Sequence, residues 1–172
     1  MKALIRMMSE YNRWANNRLI EDCACVSVHD LWKDLGAEYR SIHGTLDHGL
    51  LVDRLWLARF SGLEPPFADF KTSLTTSFEE LTLERSYTDE DLDSFIDNVS
   101  EAFLLRNIEY TTFRSTQKIS QPLGSALLHL FHHQSHYRAQ VQAFLQQFGK
   151  KTRTLDLLRF QRLTMLGGTA VT

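Results

Sequence analysis

Only two cysteines occur among the 172 residues, Cys23 and Cys25. They sit too close together in an extended or helical segment to bridge comfortably, and no third thiol offers another partner. A disulfide scaffold is thereby excluded, and a reducing, cytoplasmic setting is expected. A Cys-x-Cys metal site would want two further ligands alongside, and the flanking sequence offers no such set. An excess of charge of either sign is also lacking: 19 basic residues against 21 acidic ones leave a formal net charge of −2. That balance makes no overall electrostatic case for nucleic acid. No long apolar run is present. After Lys2 and Arg6, the residues Ser9, Glu10, Asn12 and Arg13 interrupt the amino-terminal segment, so it reads as neither signal peptide nor membrane span. There is no internal repeat, low-complexity run, glycine-rich phosphate loop or alternating parallel-strand pattern, which argues against nucleotide-binding folds.

What is present is a single domain over residues 1–166, with 167–172 expected to be a flexible tail. A hydrophobic content of 43% and a charged content of 23% are ordinary for a globular chain. Leu4, Met8, Tyr11, Ala15, Leu19 and Cys23 recur at three- and four-residue steps and predict a helix from about Lys2 to Cys23. Ser27 and Asp30 offer a cap for a short turn over Leu31–Leu35 that ends at Gly36. From Ser41 to about Phe60 the chain is apolar around most of its circumference, with Asp47, Arg54 and Ala58 as the exception, so this helix should pack on more than one side. Gly62, Pro65 and Pro66 then open a loop to about Thr76. Ser77 and Glu80 form a capping-box pattern, and Leu81, Leu92, Phe95, Ile96 and Val99 predict a third helical region. Thr88 and Asp91 leave open whether it is one helix or two. Asn107–Gln121 is rich in Thr, Ile, Tyr and Phe, and reads as a long crossover with a small β-hairpin. Pro122 and Gly149 bracket the last long helix, and residues 155–161 predict a short final one. The fold class is all-α: a four-helix bundle with a long crossover connection.

The chemistry concentrates in His129-Leu-Phe-His132-His133-Gln-Ser-His136-Tyr137-Arg-Ala-Gln140, which holds four of the seven histidines. At about 100° per residue, His129, His133, His136 and Gln140 share a sector of about 60°, and His132 lies roughly 60° outside His129. The apolar residues that follow, with Leu123 and Leu130, mark a core side about 100° from His129. His133 and Tyr137 lie nearest that side, and His129 and His136 lie on its margin. A metal held between helices needs ligands one turn apart that project inward. His133 is the best candidate here. On the second long helix, His48 shares a face with Leu51 and Leu55, whereas His43 lies beside polar Asp47 and Arg54. Burial therefore favours His48, and Asp53 also sits among apolar neighbours. The segment from Pro122 to Phe148 contains no Asp or Glu, which excludes the Glu-x-x-His pairs of di-iron bundles. It also lacks the general-base glutamate of a His-Glu-x-x-His protease. Trp14, Trp56 and Phe131 read as core or dimer-contact residues, and His29 as a surface residue beside Asp30.

SIHGTLDHGLLVDRLWLARFSG, residues 41–62, and HLFHHQSHYRAQ, residues 129–140, resemble the two signatures of the DinB-like family of metal-dependent bacterial proteins. YNRWANNRLIEDC near the amino terminus and LDLLRFQR near the carboxyl terminus are similar to family segments too. The resemblance implies a four-helix bundle, commonly a homodimer, with a divalent metal such as zinc or nickel at a three-residue site. Position by position, it places the ligands on His48, His133 and Tyr137. The last departs from the family's usual histidine, and Ala139 stands in place of a glycine. Three arrangements follow: Tyr137 binds as a phenolate, His136 serves as the third ligand, or His48 and His133 are completed by water. Asp53, His129 and Gln140 are candidates for orienting the site or lining its pocket.

The leading functional expectation is a metal-dependent enzyme that activates a small thiol or water for transfer or hydrolysis of a small molecule. The catalytic residues themselves are not identifiable. The alternative is a non-catalytic, stress-associated bundle that binds metal or ligand. Neither nucleic acid nor membrane is expected as a partner.

Overall fold

The computed structural model describes residues 1–113 and 115–165. Four long helices carry the fold: α1 (Lys2–Cys23), α3 (Ile42–Phe60), α4 (Phe78–Asn98) and α6 (Leu123–Gln147). Between and after them lie α2 (Val28–Trp32), α5 (Glu101–Leu104), α7 (Leu157–Met165) and the strands β1 (Asn107–Thr112) and β2 (Ser115–Pro122). No helix among the described residues is long and apolar enough to cross a membrane.

Local chemistry sets most of the helix starts. Ser27, Ser41, Ser77 and Ser100 each accept a hydrogen bond from a backbone N–H in the first turn of the helix they precede. Each satisfies one of the donors that a helix start leaves open. The Ser27 cap begins α2 at Val28, earlier than the predicted Leu31, and Gly36 takes its left-handed conformation four residues beyond the helix end. The predicted final helix starts two residues later and runs further, because Asp156 caps it by accepting from the Arg159 N–H. In α1, Leu4 is exposed and Ile5 takes its place in the core. α5 had no signal beyond its Ser100 cap. The expected tail, residues 167–172, lies outside the described residues.

Residues 78–98 form one uninterrupted helix. Thr88, the candidate restart point, stays helical because its hydroxyl donates to the Glu84 carbonyl one turn back and accepts from Arg54 Nε. The expected hairpin is present, with β1 and β2 antiparallel and paired from Asn107↔Pro122 to Thr112↔Ser115, and with an irregularity between Tyr110 and Thr112.

Side-chain partners give the helix directions. His48 faces His133 while Trp56 faces His129, so α3 and α6 run antiparallel. Ser9 bonds Asp93 and Asn16 bonds Asp89, so α1 and α4 are antiparallel as well. His43 meets Ser77 and Arg54 meets Thr88, which makes α3 and α4 parallel. Residues 61–77 therefore run back along the bundle to join two parallel neighbours. The α5–hairpin segment carries the chain from α4 to α6 on the opposite corner.

The core is aliphatic at both ends and polar in the middle. Leu51, Ile96, Leu127 and Phe131 belong to one apolar cluster, and Leu19, Ile42, Val141 and Leu145 to another. Between them, polar groups from all four long helices meet, charged ones from α3, α4 and α6 and asparagines from α1. Arg85 Nη1 lies 2.7 Å from Asp53 Oδ2, and Arg85 Nη2 donates to Asp89 Oδ1 at 2.8 Å. Asn16 donates to Asp89 at 3.1 Å, while its oxygen accepts from Arg138 Nη1 at 2.9 Å. Arg138 Nη1 also donates to Asn12 at 2.5 Å, and Gln134 Nε2 donates to Asp53 at 2.6 Å and to the Gly49 carbonyl at 2.7 Å. Two carboxylates and two guanidiniums balance, so no member is left as a lone buried charge.

Candidate metal centre

The site begins with a tight turn. Arg40 is the one non-glycine residue at positive φ (65°) among the described residues. A side chain at Gly44 would stand 2.2 Å from the Tyr39 carbonyl oxygen, so only glycine lets the residue 39 segment close over the first turn of α3. That closure lays the Tyr39 ring flat on His48, with centroids 3.7 Å apart and planes 11° from parallel. Facing it across the helix pair, His133 lies 5.4 Å from His48, centre to centre. Tyr137, one turn on, lies 4.9 Å from His48 and 4.6 Å from His133.

These three rings, with Tyr39, Trp56 and Phe70, wall an open cleft of about 410 Å³ between α3 and α6. Phe70, from the 61–77 loop, packs its ring edgewise against His48 at 6.2 Å. His129 and Arg59 lie toward the hairpin end of the same cleft.

Burial holds the His48 imidazole well below its ordinary range, at about 3, with the nearby His133 adding to the effect. His133 is lowered to about 4, again chiefly by burial and then by His129 and His136. Both rings are therefore neutral near pH 7, the form that offers a lone pair to a metal. The Nδ1 atoms of both are buried without a hydrogen-bond partner. An unsatisfied buried polar atom costs roughly 1–3 kcal/mol, and two of them on adjacent rings is a pattern that a shared cation would relieve. Two imidazoles on one tetrahedral zinc, with bonds of about 2.0–2.1 Å, have ring centres roughly 5 Å apart. The observed separation fits that. Tyr137 fits less closely: burial raises its pKa, partly offset by the neighbouring Tyr39 hydroxyl. Among the described residues, no three His, Cys, Asp or Glu side chains converge as a metal-binding group, so the third position rests on a phenol.

The other sequence candidates fall elsewhere. His136 is exposed, with its ring edgewise to Tyr137 at 5.0 Å on the solvent side. Asp53 is fully buried and committed to Arg85 and Gln134. Gln140 is half-buried outside the cleft, and its Oε1 has no partner. His43 stacks on Trp32 at 3.8 Å and meets the Ser77 carbonyl, turned away from the cleft. Cys23 is buried in the core, where desolvation pushes its thiol up to about 12, while Cys25 is exposed. The two thiols do not share a site.

Sequence reasoning missed Tyr39, Phe70 and Arg59. The first two reach the cleft from loops, and their places depend on backbone turns that no periodicity encodes. Arg59 lies on the predicted helix, and its spacing from His48 was a usable signal.

Fold and cleft together define a helical bundle with a histidine-lined pocket between two antiparallel helices. The sequence profile of the DinB family matches residues 1–169, and the chain belongs to that family. No curated protein matches the sequence. Among solved structures, a DinB-like protein from Bacillus subtilis is similar at 16% identity, covering 87% of this chain and 97% of that one, with a TM-score of 0.64. At that identity the likeness concerns the fold.

Proposed function

We propose that the cleft holds a divalent cation, zinc or nickel, through His48, His133 and the Tyr137 phenol, and that the protein acts through it on a small molecule. The observation that carries this reading is the pair of neutral imidazoles at 5.4 Å whose buried Nδ1 atoms have no other partner. A cation bound there would lower the pKa of a coordinated thiol or water, the chemistry of a transferase or hydrolase. The protein's own groups prepare the place. Tyr39 fixes the His48 ring by stacking, and its hydroxyl beside Tyr137 partly offsets the burial that disfavours the ionised phenol. Trp56, Phe70 and Leu55 give the cleft apolar walls that limit water around the imidazoles.

A second reading, a bundle that binds metal or ligand without turnover, is favoured by the phenol in the third position. Elemental analysis after equal exposure to zinc and nickel tests the common ground of both. Wild type should retain about one metal per chain, His133→Ala should lose it, and Tyr137→Phe should hold it more weakly. An empty wild-type protein after loading would overturn the metal proposal. If metal is retained, thiol-transfer and hydrolysis assays separate the two readings.

A further inference from the structure

Arg59 is the cation in the cleft that the metal reading leaves without a task. It is 9% exposed, and no carboxylate lies within ion-pair distance of it among the described residues. By contrast, Arg54, Arg85 and Arg153 each have an acidic partner. Its guanidinium carbon lies against the rings of both Trp56, at 4.8 Å, and Tyr110, at 4.4 Å, which themselves meet edge to face. Nη2 donates to the Thr111 carbonyl of the hairpin at 2.9 Å. Nε and Nη1 make no hydrogen bond to the described residues and are not sealed in the interior. The group is thus held by the two rings and through one nitrogen, and the donors on Nε and Nη1 are left over.

Arg59 borders two hollows, one that also holds Glu64 and Glu109 and the histidine cleft, and it is the cleft that sets the sign and character of a ligand there. No Asp or Glu lines the cleft, whereas His48, His129, His133 and Arg59 all do. Val52, Leu55, Trp56 and Phe70 supply an apolar wall between the two ends. Arg59 follows His48 by eleven residues, so it sits three turns along the same face of α3, within about 20° of rotation and about 16 Å along the axis. Side chains on a helix lean toward its N-terminus, which brings the guanidinium back toward the imidazoles.

We propose that Arg59 is a carboxylate anchor, and that the ligands of this cleft are small organic acids with an apolar body and a second end that reaches His48 and His133. This deepens the reading of the cleft as a small-molecule site and names its substrate class. A planar fork of N–H donors matches a carboxylate in two parallel hydrogen bonds. A phosphoryl group would call for more donors than one partly occupied arginine supplies.

The experiment is a calorimetric titration of the metal-free protein in EDTA with 3-phenylpropionate and with 3-phenylpropionamide, which differ in charge but hardly in shape. Wild type should bind the acid at least about tenfold more tightly than the amide. Arg59→Gln should erase that ratio, and Arg59→Lys should keep part of it. Equal binding of acid and amide, no binding of either, a ratio that survives in Arg59→Gln, or tighter binding of phenyl phosphate than of the acid would overturn the assignment. The wild-type comparison needs no variant, so a folding defect at position 59 cannot imitate success. Because metal is absent throughout, failure of the metal proposal leaves this result untouched, and failure here leaves metal retention untouched.

Discussion

Tyr137 concentrates the chemical question at a single side chain. A neutral phenol is a poor metal ligand compared with imidazole, and its burial works against ionisation. Tyr137→His would place three imidazoles around one point, a full donor set for zinc. It should tighten zinc retention by about 100-fold or more in a chelator-competition assay, and an unchanged affinity would show that position 137 does not face the metal. The proposed pair His48 and His133 could be chosen from sequence because burial pattern and one-turn spacing select one face of each helix. The two residues beside them could not. Gln134 and Arg138 are polar, so a wheel built on apolar residues passed over them. Both are buried, and together with Gly124, Leu127 and Phe131 they place the centre of the α6 core face roughly 40° further round than the sequence wheel did. The reason lies on other helices, in Asp53, Asn12 and Asn16, which no local pattern in α6 reveals.

At the scale of the helix, α3 does two jobs on two faces. One face carries His48 and Arg59 into the cleft, and the other buries His43 against Trp32, Thr75 and Ser77. Burial lowers the His43 pKa, opposed by its bond to the Ser77 carbonyl and by the charges of Asp47 and Glu80. A histidine whose folded pKa lies below its unfolded value of about 6.5 binds more protons when unfolded. Its contribution is therefore present above that pH and is lost as pH falls toward the folded value. His48 and His133 act with the same sign. The urea midpoint should accordingly fall between pH 7 and pH 5, and His43→Gln should flatten that slope. α4 makes a different contribution. Its continuity was undecided in the sequence because Thr88 looks like a cap, yet the helix must run on to bring Arg85 and Asp89 to the same level as Asp53. Arg85→Met would strand two carboxylates in the core, so it should cost about 3–5 kcal/mol of stability in denaturant titrations. A loss below about 1 kcal/mol would mean that water reaches the network.

For the whole molecule, the arrangement of helices was less legible than their existence. Periodicity announced the helical regions and composition the hairpin, but neither carries information about which helix neighbours which. That choice is made by partners such as Ser9 with Asp93 and Gln134 with Asp53, separated by more than 80 residues. The resulting ring of neighbours has a consequence for how the chain comes into being. α1 and α3 follow one another in sequence but sit on opposite corners, and so do α4 and α6. The helix that completes the contacts of both α1 and α3 is the last long one made. A ribosome releasing this chain from its amino end must therefore deliver it through Gln147 before the first helix has both of its neighbours. Until then only the sides of α1 and α3 that face α4 can be covered, so the nascent chain exposes apolar surface that the finished bundle buries.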